Sequence, residues 1–165
     1  MQLLIKIGVL GKGNLLEMIP ADMRYFKEKT TGKVIIMGRA TLESLPGGKA
    51  LKNRKNIVLS KRGRISCEDV IVCHSLEELF VEVSGYSLEE IFVIGGEMIY
   101  SQLLQYCSEA YITKINKCYK ADKYLPNLDN LKGWKCTSKS ILERYDDLSF
   151  SFSVYKNMNF QKYHR

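Results

Sequence analysis

In the stretch "LLEMIPADMRYFKEKTTGK", residues 15 to 33, an aspartate at position 22 stands four residues before Phe26. Pro20 marks the first turn of a helix, so Asp22 falls where unpaired N–H groups and the helix macrodipole favour a negative charge by ~0.3–1 kcal/mol. That benefit alone would account for the residue. Residues four apart share a helix face, however, and Ile19, Met23 and Phe26 are apolar. The helix start is therefore packed rather than solvated. A carboxylate in such an apolar setting could be placed to do acid–base chemistry rather than only to start a helix.

Two other stretches have the chemistry of anion sites. In "VIIMGRATLESL" an apolar run ends at Gly38 and a helix begins, leaving backbone N–H groups free beside Arg39 and Thr41. In "FVIGGEMIY" the pair Gly95-Gly96 lets the backbone turn sharply and approach a ligand before the next helix. A glycine at either place is most often only a turn. Two such turns at one edge of one sheet suggest a diphosphate held between helix N-termini. Between Arg24 and Arg64 there are twelve Lys or Arg against Glu28 and Glu43, a local +10 in a chain of net charge +7. These charges are interleaved with strand and helix patterns and lack a series of stacking aromatics, which argues against nucleic acid. A phosphorylated cofactor or a multi-carboxylate substrate suits them better.

The elements that must position these residues alternate along the chain. "QLLIKIGV" reads as a strand, Pro20 to about Thr31 as a helix stopped by Gly32, and "KVIIM" as a short strand buried on both faces. A short helix over Arg39 to Leu45 follows, then strands "NIVLS" and "DVIVCH". Ser75 caps a helix whose Leu76, Leu79, Phe80 and Val83 share a face. "EIFVIGG" leads into a helix with Met98, Ile99 and Leu103, and "EAYITKI" returns as a strand. "KCTSKSILERY" and "LSFSFSVYKN" predict an antiparallel hairpin, the second arm alternating cleanly. The fold expected is α/β, a central, mostly parallel twisted sheet with an antiparallel C-terminal hairpin and helices on both faces.

With 165 residues and 45% hydrophobic content, one domain spanning residues 1–165 is expected. No apolar stretch approaches the ~20 residues of a membrane span. The N-terminus lacks a charged segment followed by an apolar one. A soluble, cytoplasmic protein without a membrane partner is the expectation. Cys67, Cys73, Cys107, Cys118 and Cys136 form no C-x-x-C pair and read as buried or half-buried free thiols. With only His74 and His164, histidine-based metal or triad chemistry has little to work with, and no metal is expected.

The stretches "IPADMRYFKEKTTGKVIIMGRATLESL", "RKNIVLS", "VIGGEMIY" and "AYITKI" resemble, in order and spacing, the successive signatures of the dihydrofolate reductase family. The resemblance runs from about Leu3 to Tyr155. It implies NADPH-dependent reduction of dihydrofolate to tetrahydrofolate. Asp22 would hydrogen-bond the pterin ring and promote its protonation, with Thr113 fixing that side, and these two would be the catalytic pair. Ile5, Phe26, Leu45, Leu51 and Ile94 would wall the folate site, and Arg54 would pair with the substrate's glutamate α-carboxylate. For the cofactor, Gly38, Arg39, Ala40 and Thr41 would meet phosphates, and Ser60 and Lys61 the adenosine phosphate. Gly95, Gly96, Glu97 and Met98 would cradle the diphosphate, with Ile7 and Tyr100 beside the nicotinamide. Antifolate-like molecules would bind the same site, and a monomer is expected.

The chain also departs from the family. "VLGKGNLLEMIP" is several residues shorter than the usual active-site loop and has Glu17 where the family places a tryptophan, while "PGGK" lengthens the loop after Ser44. Loop closure completes such sites and excludes solvent. Two alternatives therefore stay open: a protein that binds NADPH or folate with weak turnover, and a related pterin or pyrimidine-ribose reductase.

Overall fold

The computed structural model describes residues 1–5, 10–11, 14–15, 19–61, 63, 65, 67–116 and 126–163. Strand β1 (Gln2–Ile5) opens the chain, and β2 (Leu10–Gly11) pairs with β3 (Asn14–Leu15) as a separate ribbon. Of the strand expected from "QLLIKIGV", the part beyond Ile5 lies outside the described residues, as do Ile7, Glu17 and Cys118. Helix α1 (Pro20–Thr30) starts with proline in its first turn, as the sequence requires, and ends where Gly32 turns at φ +76°. Then come β4 (Val34–Gly38), α2 (Arg39–Ser44), β5 (Lys55–Leu59) and β6 (Val70–Cys73). Helix α3 (Leu76–Val83) begins at Ser75, whose hydroxyl accepts from Glu78 N. The chain continues through β7 (Ile91–Gly95), α4 (Glu97–Leu103), β8 (Glu109–Ile115), β9 (Trp134–Lys139), β10 (Glu143–Tyr145) and β11 (Leu148–Asn157).

One nine-stranded sheet runs in the order β10-β11-β8-β1-β7-β4-β5-β6, with β9 also on β11. From β8 to β6 every pairing is parallel, and β11 lies antiparallel to β8, β9 and β10. The apolar runs are buried on both faces because alternate side chains enter two cores. Val34, Ile36, Ile57, Ile91 and Val93 pack with Leu79, Ile99 and Leu103 of α3 and α4. Ile35, Met37, Val58, Phe92 and Ile94 pack with Phe26 of α1 and Leu42 of α2. Helices thus cover both faces of the parallel part of the sheet, and its carboxyl edge is where α/β proteins place ligands.

The hairpin differs from its expected form. Its first arm is broken into β9 and β10, which lie in tandem along β11. Ser140 ends β9 by accepting from Phe152 N at 3.0 Å and donating to Ile141 O at 2.7 Å, and Ile141 and Leu142 turn out to solvent. Among the described cysteines, Cys73 and Cys107 are buried and Cys67 is half-buried, but Cys136, on the open face of β9, is exposed. No group of His, Cys, Asp and Glu among the described residues could hold a metal ion. Among the same residues, no helix is long and apolar enough to cross a membrane.

Candidate active site

Helix α1 is anchored along one stripe and so sets a carboxylate on the next. Tyr25 packs on Phe152 of β11 with ring centroids 4.6 Å apart, and Lys29 Nζ lies 4.4 Å from the Tyr111 ring of β8. Tyr111 is held in turn by donating its hydroxyl to Glu109 Oε2 at 2.7 Å. With α1 fixed against β8 and β11, its other stripe, Asp22, Phe26 and Thr30, is buried over the sheet. Thr113 of β8 donates its hydroxyl to Asp22 Oδ1 at 2.6 Å, and both residues are buried, at 2% and 8% exposure. A short bond from a hydroxyl to a carboxylate in a dry setting fixes the carboxyl's orientation.

The stripe ends at a cation. Asp22 and Thr30 are eight positions apart, about 12 Å along the helix axis. The Thr30 hydroxyl donates to Phe26 O at 2.7 Å and accepts from Arg54 Nε at 2.8 Å. Arg54 also donates from Nη1 to Lys52 O at 2.8 Å, and its guanidinium lies 5.8 Å from the Phe26 ring. Burial lowers the Arg54 pKa from the ordinary arginine value, which still leaves it cationic. Leu45 and Leu51 pack against the core that holds Phe26 and Ile94, so four of the expected wall residues meet. Ile5 is placed by its backbone, which pairs with Ile112 beside Thr113. Along α1, then, a buried carboxylate, apolar side chains and a guanidinium follow one another.

The glycine turns meet at the neighbouring strand ends. Met37 is in register with Gly95, so the turn after β4 lies beside the turn after β7. A Cβ on Gly38 would meet Ile99 Cγ1 at 3.0 Å and come within 3.9 Å of Gly96 N. Gly95 has φ +138°, and a Cβ there would stand 3.2 Å from Thr41 Oγ1 and 3.5 Å from the Tyr100 hydroxyl. On Gly96 it would stand 3.4 Å from the same Thr41 oxygen. Of the three, Gly95 has the backbone that favours glycine, and a Cβ on Gly38 would press on Ile99. Tyr100 is buried behind the turn, and burial pushes its phenol well above the usual tyrosine value. Glu97 and Met98 have exposed side chains, so what they bring to the turn is backbone.

Basic groups gather beyond these turns. Arg39 donates from Nη2 to Gly63 O at 2.9 Å, reaching across to the chain that follows β5. Ser60 is tied to β6 through its N–H, which donates to Cys73 O at 2.9 Å, while Lys61 and Ala40 are exposed. His74 donates from Nδ1 to Ser60 O at 2.8 Å. The expectations from sequence included neither His74 nor Thr30. The first stands at a strand end just before a helix cap, and the second continues the spacing of Asp22 and Phe26, so both carried a readable signal. Helix N-termini, a cradle that a Cβ would fill and nearby cations form a donor set that fits phosphate groups.

A sequence model described as dihydrofolate reductase matches residues 5–157. The dihydrofolate reductase of Bacillus subtilis (strain 168) is 36% identical over 157 residues, covering 93% of this chain and 90% of the relative. That of Staphylococcus haemolyticus is 34% identical over 156 residues, with 93% and 91% covered. The chain belongs to the dihydrofolate reductase family. A solved dihydrofolate reductase from Enterococcus faecalis, complexed with NADP(H) and RAB-propyl, superposes with a TM-score of 0.81 at 30% identity, covering 94% of this chain and 95% of that one. The dihydrofolate reductase match runs from the end of β1 to the end of β11 and so takes in the Asp22–Thr113 pair, Arg54 and both glycine turns. Beyond it, Tyr163 stacks on Phe80 of α3 at 4.8 Å between centroids.

Proposed function

We propose that this chain uses Asp22 and Thr113 to hold the pterin ring and promote its protonation while it reduces dihydrofolate to tetrahydrofolate with NADPH. The observation that carries the reading is the buried Asp22–Thr113 bond of 2.6 Å at the head of the stripe that ends at Arg54. A substrate with a polar ring at one end and carboxylates at the other suits both ends of that stripe.

Thr113 spends its hydroxyl hydrogen on Oδ1 and so sets the plane of the Asp22 carboxylate. The carboxylate accepts hydrogen bonds from the ring's amino and N–H groups, and its negative charge favours a proton arriving from solvent on the neighbouring ring nitrogen. Phe26, Leu45, Leu51 and Ile94 exclude water along the stripe, which strengthens that field. Arg54 grips the glutamate α-carboxylate through its fork of N–H groups. For the cofactor, backbone N–H groups from Gly38 to Thr41 and from Gly95 to Met98 hold the diphosphate. Arg39, Ser60 and Lys61 meet the adenosine phosphate, and Tyr100 backs the nicotinamide side. Bound NADPH supplies the hydride. The NADP(H) carried by the Enterococcus faecalis relative supports this cofactor. The reading carries with it a single domain, a cytoplasmic monomer without nucleic-acid or membrane partners, and affinity for antifolate-like molecules.

Steady-state loss of NADPH absorbance with dihydrofolate tests it. One tetrahydrofolate should form for each NADPH consumed. Tight NADPH binding without consumption would instead make the chain a binding protein, and turnover restricted to another pterin or to a pyrimidine-ribose substrate would make it a sister reductase.

A further inference from the structure

Asn56 lies on β5 two residues beyond Arg54 and is 2% exposed. Its side-chain amide is bonded to the backbone of the loop that carries Arg54. Oδ1 accepts from Leu51 N at 2.9 Å, and Nδ2 donates to Leu51 O at 3.0 Å and to Arg54 O at 3.0 Å. Both amide hydrogens are thereby used on one short loop. The same loop is held from outside by Gly32 N, which donates to Asn53 O at 2.8 Å, with Asn53 in the left-handed region at φ +59°. Thr30 then fixes Arg54 Nε, and Lys52 O takes one Nη1 hydrogen, which leaves the Nη1 and Nη2 edge of the guanidinium to face a partner.

The residues that Asn56 bonds are Leu51 and Arg54, one an apolar wall residue and the other the cation at the end of the stripe. We infer that Asn56 is a positioning residue for recognition of the substrate's carboxylate: without touching substrate, its amide sets the separation and facing of Leu51 and Arg54. The inference rests on the reading of Arg54 as the carboxylate's partner. A loop ordered before binding does not have to be ordered at binding, so the benefit falls on substrate affinity and not on the chemical step.

The test uses the purified chain with NADPH and two substrates, dihydrofolate and a dihydropterin lacking the glutamate tail. Arg54→Ala and Asn56→Ala should each raise KM for dihydrofolate by about tenfold or more while kcat stays within about twofold. Neither should change KM for the tail-less dihydropterin or the affinity for NADPH. The double variant should fall well short of the product of the two single effects, because Asn56 acts chiefly through Arg54 and only the part that passes through Leu51 is left to add. Asn56→Ser, which keeps a hydroxyl but cannot span all three backbone groups, carries the same prediction if Asn56→Ala does not yield folded protein. An unchanged KM for dihydrofolate in Arg54→Ala would sink the carboxylate reading itself. A raised KM in Arg54→Ala with no change in Asn56→Ala would overturn the inference alone, as would an Asn56 effect equal on both substrates or fully additive with Arg54→Ala.

Discussion

Replacing Thr113 with valine keeps the side chain's shape and removes only the hydroxyl that donates to Asp22 Oδ1 at 2.6 Å. The loss is not readily repaired by water, since Thr113 is 2% and Asp22 8% exposed. A hydrogen bond to a charged group contributes ~1.5–3 kcal/mol. If that energy orients the carboxylate toward the ring in the transition state, then at about 1.4 kcal/mol per factor of ten kcat/KM for dihydrofolate falls by roughly tenfold to a hundredfold. Thr113→Ser keeps the donor and should retain most activity. NADPH affinity, followed by fluorescence titration, should not move in either variant, because the glycine turn after β7 is separated from β8 by β1. A Thr113→Val enzyme with kcat/KM within about twofold of wild type would refute the reasoning, provided its NADPH affinity shows that it is folded. The hydroxyl would then be satisfying a buried acceptor and nothing more.

Arg39→Ala should weaken NADPH by ~1.5–3 kcal/mol while barely affecting NADH, measured by titration of nicotinamide fluorescence; equal losses would move Arg39 to the diphosphate that both cofactors share. Gly95→Ala places a Cβ 3.2 Å from Thr41 Oγ1 at φ +138°, which should cost ~1–3 kcal/mol of stability and loosen NADPH, and an unshifted urea midpoint would contradict it. Asp129 accepts from Lys114 Nζ at 2.7 Å and from the Tyr155 hydroxyl at 2.6 Å, and these bonds hold its carboxyl below the usual carboxylate range. Because the folded pKa is depressed, that contribution is full above the ordinary carboxylate pKa and is lost as pH falls through the lowered value. The group is about half exposed, so the stability gap between wild type and Asp129→Asn should be about 1 kcal/mol or less at neutral pH and should close on acidification; a gap that widens in acid would reverse the sign.

Those parts of the site that rest on local spacing were legible in the sequence. Pro20, Asp22 and Phe26 define a helix start with an inward stripe, and continuous runs such as "VIIM" require a sheet covered on both faces, as the two cores confirm. Glycines at two strand ends pointed to one edge, and parallel register brings them together. What local spacing could not carry is contact across the fold. Thr30 meets Arg54 only because α1 and the loop before β5 are brought side by side, and Asn56 reads as an ordinary polar residue until its loop is seen wrapped around it. The broken hairpin arm fails for the opposite reason. Ile141 and Leu142 continue an apolar strand pattern, yet Ser140 diverts the backbone and leaves them 83% and 59% exposed. Glu17 and part of the loop expected to be shortened lie outside the described residues, so turnover kinetics test their effect.

Replacing Asp22 with asparagine tests the assignment of this site most directly. Asparagine can still accept from Thr113 but carries no charge to favour a proton on the ring. Measured across pH with saturating NADPH, Asp22→Asn should lose most of its turnover at neutral pH and recover part of it in acid, where the substrate is already protonated, while NADPH affinity stays at the wild-type level. A variant that matches wild-type kcat at every pH would remove Asp22 from the chemistry and with it the catalytic role of the buried pair.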